Sequence, residues 1–135
     1  MRISKEADVK KILTKSKTIA VVGASPKPGR DSGMIAQFLN AKNYTVYPVN
    51  PAYKDVFGLK CYPSLAAVPE HIDIVDVFRN PNEVMPVVED AVHVGADTIW
   101  FQLGVVNEAA ARKADEAGLD VIMDRCIAVE YRNIM

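Results

Sequence analysis

The 135-residue sequence has only two cysteines, Cys61 and Cys126, and neither belongs to a C-x-x-C pair. Two thiols supply neither a disulfide framework nor a zinc site by themselves, so reduced thiols are expected. There are two histidines, His71 and His93, and no run of His, Cys, Asp and Glu at metal-ligand spacing. No serine stands in a G-x-S-x-G elbow. Charge of neither sign is in excess: 16 Lys+Arg face 17 Asp+Glu, a formal net charge of -1. The absence of a basic tract argues against nucleic acid, whose affinity comes largely from neutralising many phosphates. No uncharged apolar run is long enough to span a bilayer, and the first five residues lack the apolar core of a secretory signal. These absences predict a cytoplasmic protein with no membrane and no nucleic-acid partner. The length excludes separate cofactor and substrate domains and predicts a single domain over residues 1–135.

What is present is an alternation of helix and strand. Ser4 can cap a first helix with Val9, Ile12 and Leu13 on one face. Thr18-Ile19-Ala20-Val21-Val22 is a short β-branched run that stops at Gly23, the pattern of a strand buried on both faces. Asp31 or Ser32 can cap the next helix, with Ile35, Phe38 and Leu39 inward. Residues 44–49 read as a second strand. Pro48 donates no hydrogen bond, so it belongs at a strand end or beside a very short neighbour. Residues 50–62 read as a long loop, uncommon in a compact domain unless functional, and a one- or two-turn helix follows near residues 64–67.

Residues 72–78, 98–101 and 121–123 read as further strands. Between them lies a helix opening at Pro81, with Val84, Val87, Val88, Ala91 and Val92 as its apolar stripe and Gly95 as its stop. Another is capped by Asn107, turns Ala110, Ala111 and Ala114 inward and ends at Gly118. A short tail helix starts near Ile127. The alternation predicts an α/β fold: a Rossmann-like, doubly wound parallel sheet of about five strands in a three-layer α/β/α sandwich.

In such a sheet, ligands bind beyond the carboxyl ends of the strands. Gly23-Ala24-Ser25-Pro26-Lys27-Pro28-Gly29-Arg30-Asp31-Ser32-Gly33 joins the first strand to a helix. Small residues let backbone N–H groups approach a phosphate, and a helix N-terminus adds favourable partial charge. Arg30 offers a forked, permanent charge, and Ser25 and Ser32 offer hydroxyls. The loop is not G-x-G-x-x-G, because Ser25 replaces the second glycine. Nor is it a P-loop, because Arg30 follows Gly29. Phosphate binding and a plain β–α turn both fit it.

The second strand's exit, Val49-Asn50-Pro51-Ala52-Tyr53-Lys54, has no acid to hold a ribose 2′-hydroxyl, which disfavours NAD. Asn50 and Lys54 tolerate a ribose phosphate, as in coenzyme A or NADP, although a surface loop with a solvated lysine fits equally. Phe78-Arg79-Asn80 and Gln102-Leu103-Gly104 are strand exits suited to a ligand. Trp100 and Phe101 read as core, and His71 and His93 as surface histidines. In Asp124-Arg125-Cys126, Arg125 suits a phosphate or carboxylate, whereas Cys126 fits a small buried filler.

These residues together resemble the CoA-binding protein family related to the N-terminal domain of the succinyl-CoA synthetase α subunit. The resemblance rests on Gly23-Ala24-Ser25 with Arg30 and Ser32, then Tyr47-Pro48-Val49-Asn50-Pro51 and Tyr62-Pro63-Ser64-Leu65. It continues through Ile72-Asp73-Ile74-Val75-Asp76-Val77-Phe78-Arg79, Trp100-Phe101-Gln102-Leu103-Gly104 and Met123-Asp124-Arg125-Cys126. It implies a Rossmann-like fold whose ligand is coenzyme A or acyl-CoA. Carried over by position, Gly23, Ala24, Ser25, Arg30 and Ser32 would hold phosphates. Asn50, Pro51 and Lys54 would lie along the adenosine end. Phe78, Arg79, Gln102 and Gly104 would line the remaining crevice, with Arg125 and Cys126 at the last strand's exit.

The expectation is a CoA-binding protein, non-catalytic or partner-dependent, acting as a monomer or homodimer. One alternative is a small subunit of an ADP/NDP-forming acyl-CoA synthetase, with a larger enzyme as partner. Another is an NAD(P)-binding regulatory module, and a third is a redox variant in which Cys126 exchanges disulfide with the CoA thiol. The synthetase subunit carries a phosphorylated histidine in a second domain, and neither His71 nor His93 lies in a comparable Gly-rich setting. Gly33 stands where a larger residue would be equally natural, so a loose helix start is expected.

Overall fold

A computed structural model describes residues 1–135. The chain runs through α1 (Glu6–Lys15), β1 (Thr18–Val22), α2 (Asp31–Ala41), β2 (Thr45–Val49) and the two-residue strands β3 (Asp55–Val56) and β4 (Leu59–Lys60). It continues through β5 (Ile74–Val77), α3 (Met85–His93), β6 (Thr98–Phe101), α4 (Glu108–Glu116), β7 (Asp120–Met123) and α5 (Ile127–Ile134). Five strands form one parallel sheet in the order β2-β1-β5-β6-β7. This is the doubly wound α/β Rossmann-like fold that the alternation predicts.

The period of two along each strand divides the core. Ile19 and Val21 of β1 pack with Val9, Leu13, Ile35, Leu39 and Ile127, in the layer of α1, α2 and α5. Ala20 and Val22 pack with Val84, Val88, Ala110 and Ala114, in the layer of α3 and α4. All five residues of β1 are buried, because a central strand covered on both faces has no polar side. Asp76 is the ionisable exception to the apolar rule, in addition to the buried hydroxyls of Thr18 and Thr98. It lies on β5 between Val21 and Trp100, fully buried, with neither carboxylate oxygen hydrogen-bonded. Burial pushes its pKa well above the usual carboxylate range.

The framework departs from the sequence expectations at several places. Ser4 does not cap α1; the N-cap position is Lys5, without a side-chain bond. Residues 1–3 instead run along β7, where Ile3 N–H donates to Val121 O at 2.8 Å and Val121 N–H to Met1 O at 2.9 Å. Pro48 lies inside β2 and not at its end. However, β2 is the edge strand, and its outer neighbour is the single bridge of Val49 to Tyr62, the very short neighbour that the sequence allowed for Pro48. Its carbonyl turns outward to accept Tyr62 N–H at 2.9 Å, so the missing donor costs the β1 ladder nothing.

Residues 50–62 are not a plain loop. They fold back as the β3–β4 hairpin around Phe57 (φ 49°) and Gly58 (φ 85°), with Val56 buried beneath. Finally, the helix expected from Pro81 is split into a 3-10 turn (Pro81–Glu83) and α3. Pro86 has no N–H to donate and is tolerated only in a first turn, so the α-helix begins there. No helix is long and apolar enough to cross a membrane.

Candidate ligand-binding site

The strand order reverses between β1 and β5, because β2 leaves to one side and β5 to the other. The connections after these strands therefore part and leave a crevice above their carboxyl ends. Three adjoining hollows of about 240, 460 and 390 Å³ meet there, and Gly23 and Arg79 belong to the walls of all three.

Gly23 makes this junction. Its φ is +88°, and a Cβ would stand 2.3 Å from the Phe78 carbonyl oxygen, so only glycine lets the end of β1 pass the exit of β5. The bend after it is wired internally. Ser25 N–H donates to Ser32 Oγ at 3.0 Å, and Lys27 N–H donates to Ser25 Oγ at 3.1 Å. Asn50 ties the exit of β2 to the same bend: its Nδ2 donates to Ala24 O at 3.0 Å while its Oδ1 accepts Ala52 N–H at 2.9 Å.

Ser32 is thus buried as a brace and does not cap α2. The N-cap position is Arg30, with no side-chain bond, so the first-turn amides of α2 lack a side-chain acceptor where the helix opens on the crevice. The loose start expected at Gly33 is also corrected. A Cβ there would lie 2.4 Å from Ser25 O and 2.5 Å from the Phe57 ring, so the helix start is tightly packed against the bend and the hairpin tip.

Cations gather at the first hollow. Lys27, Arg30 and Arg79 line it and are exposed. Arg79 reaches Glu83 at 3.3 Å, whereas Lys27 and Arg30 take part in none of the ion pairs of the fold. The second hollow extends past Asn50 and Pro51 toward Ser64 and Asp90. The third runs past Ser32, Phe78 and Gln102 to Cys126. Gln102 is buried, and its Oε1 accepts Ile127 N–H at 3.1 Å, so it caps α5 while forming the wall.

Four of the sequence-chosen residues are not in these walls. Ala24 is buried beneath the bend, and Lys54 is exposed outside it. Gly104 donates its N–H to Asp124 Oδ1 at 2.7 Å, which ties together the exits of β6 and β7. Arg125 faces the amino-terminal segment: its guanidinium reaches Glu130 Oε1 at 3.1 Å and Ser4 O at 2.6 Å. Conversely, Lys27, Ala52, Tyr53, Asn80 and Glu83 line the first hollow and are not among the sequence candidates. Asn80 stood at a strand exit, which was the available signal. Tyr53 comes to the wall because residues 50–62 fold back.

Trp100 is core, as expected, with Nε1–H donating to Arg125 O at 2.8 Å. Cys61 is buried with its Sγ 3.5 Å from Asn50 O, and burial pushes its thiol pKa up. At the opposite, amino-terminal end of the strands, before β5 and β6, His71 Nε2 lies 3.0 Å from Asp97 Oδ2 and 3.6 Å from Asp73 Oδ1. Sequence spacing did not show this grouping, because Asp97 arrives from the turn before β6. The Asp97 hydrogen bond raises the His71 pKa, and Asp73 is already held by Lys17 N–H at 2.7 Å.

Topology and crevice together define a Rossmann-like domain with a cation-lined hollow at its switch point. Within that class, the chain belongs to the CoA binding domain family, whose model matches residues 17–132. It is 40% identical over 131 residues to the uncharacterized protein YneT of Bacillus subtilis, covering 97% of each chain. It superposes on a hypothetical protein from Pyrococcus horikoshii OT3 with a TM-score of 0.94 and 45% identity, covering 97% of this chain and 92% of that one. It is also 39% identical over 70 residues to acetate–CoA ligase [ADP-forming] I of Archaeoglobus fulgidus, a match of 52% of this chain but only 10% of the ligase. The domain is therefore related to ADP-forming acyl-CoA synthetase domains.

Proposed function

We propose that this chain binds coenzyme A or acyl-CoA in the β1–β5 crevice, and that it acts without chemistry of its own or through a larger partner. The observation that carries this is the convergence of Lys27, Arg30 and Arg79 on the hollow at the uncapped start of α2. A diphosphate needs such a place: cations, helix amides and a glycine that removes side-chain bulk. Ser25 and the Gly23 bend would face the diphosphate, with Ser32 as their brace. Asn50 and Pro51 would border the adenosine end, in a hollow whose far walls also carry the carboxylates of Glu83 and Asp90. The pantetheine arm would pass Phe78 and Gln102 toward Cys126. Ala24, Gly104 and Arg125 would hold the frame, and Lys54 would stand beside it.

Isothermal titration against CoA, NAD and NADP tests this reading. Heat is expected with CoA; tight NAD binding with no CoA signal would overturn it. Arg30→Ala should weaken CoA binding by about 1.5–3 kcal/mol, the worth of a charged hydrogen bond, and an unchanged affinity would remove Arg30 from the site. The A. fulgidus ligase match favours a second reading, a small subunit of a synthetase. Its sign would be co-purification with a larger ATP-binding subunit.

A further inference from the structure

The third hollow does not end at Cys126. A further groove of about 220 Å³ opens between α2 and α5, and Asp31, Ile35 and Cys126 belong to the walls of both. The rest of its lining is apolar, from Met34, Phe38 and Ala128, until Arg132 closes the far end with its guanidinium 4.7 Å above the Phe38 ring. Two large apolar side chains flank this path and are left mostly in water, Leu103 at 68% and Met34 at 67% exposure.

We propose that this groove takes the acyl chain of a thioester, so that the ligand class is acyl-CoA with a short or medium unbranched chain. The inference rests on the CoA reading given above. The third hollow shares Arg30 and Arg79 with the cation-lined first, and its lining also includes the apolar Ile35, Leu103 and Val105 beside Cys126. A ligand anchored by its phosphates at Lys27 and Arg30 would direct its thiol end along that hollow. Free CoA has nothing to place beyond the thiol and would leave Met34 and Phe38 wet. A hydrocarbon chain continuing from the thioester would cover them, and covering apolar surface is what favours binding. The continuity of the two hollows through Ile35 and Cys126 singles out this occupant over a second protein, which would have no reason to meet the groove at the ligand's own end.

The test is isothermal titration of the full chain with CoA, butyryl-CoA, hexanoyl-CoA and octanoyl-CoA. A fully buried methylene is worth about fourfold in affinity, so a groove open on one side should give about two- to fourfold per methylene until it is filled. Met34→Glu, at an exposed position on the lip, should flatten this series while leaving free CoA within about twofold of its original affinity. CoA binding with no dependence on chain length would overturn the inference and leave the CoA reading standing. A chain-length dependence untouched by Met34→Glu would place the chain elsewhere and overturn it too. A dimer that Met34→Glu splits, with a flat series before and after, would assign the groove to a second copy. Silence toward CoA and all three thioesters would end both readings.

Discussion

The Ser32 hydroxyl oxygen accepts the backbone N–H of Ser25 at 3.0 Å, so a side chain in the first turn of α2 holds the bend that leaves β1. Both residues are buried, at 4% and 8% exposure, and water offers the Ser25 N–H no ready substitute. Ser32→Ala should therefore cost about 1–3 kcal/mol, the penalty of a buried donor left unpaired. Urea denaturation reads that loss directly, and CoA affinity should fall with it because the bend is no longer pre-set. A denaturation midpoint equal to that of the original chain would show that the bond contributes nothing.

Gly33→Ala separates a packing demand from a conformational one. The added Cβ would meet Ser25 O at 2.4 Å and the Phe57 ring at 2.5 Å. The ring can turn aside, but the carbonyl is backbone in the braced bend. The expected destabilisation is about 1–3 kcal/mol, as for other overpacked positions. Adding Phe57→Ala should recover little of it, since the carbonyl clash remains. Full rescue by that second change, in a double-mutant cycle, would place the conflict at the hairpin tip instead.

Asp76 predicts a pH dependence with an unusual sign. An exposed aspartate in the unfolded chain titrates near about 3.9, while burial raises the folded value well above the ordinary one. Above the unfolded value, the folded state holds the proton that the unfolded state has released. Stability from this group is therefore lost as pH rises from about 4 toward the elevated value, the reverse of a salt-bridged carboxylate. Asp76→Asn keeps the shape without the titration and should flatten that decline. Urea denaturation at pH 5 and pH 8 for both proteins checks it; equal slopes would mean that the carboxyl does not carry the effect.

Much of the framework was legible locally. The run 18–22 and its stop at Gly23 gave β1, since a β-branched apolar stretch buried on both faces cannot be anything amphipathic. Asn107 caps α4 as expected, accepting Ala110 N–H at 3.0 Å, because a cap is a contact across three residues. The β3–β4 hairpin is not legible in the sequence, for a local reason too. Its turn is Phe57-Gly58 and not an Asn-Gly or Asp-Gly pair, and each strand is only two residues long.

The sequence by itself determined the order of the five main-sheet strands and the helices along the chain, the two apolar faces of the sheet, and the loops that would stand at the carboxyl ends of the strands. Those properties depend on neighbours within a few positions along the chain. Only the tertiary structure decided what each polar side chain does there: Gln102 is claimed by Ile127, Asn50 by Ala24, and Arg125 by Ser4 and Glu130. Residue type announces a donor or an acceptor, but the partner is whichever group the folded chain brings within 3 Å or so. For these three, the partners come from elements 5 to 121 positions away.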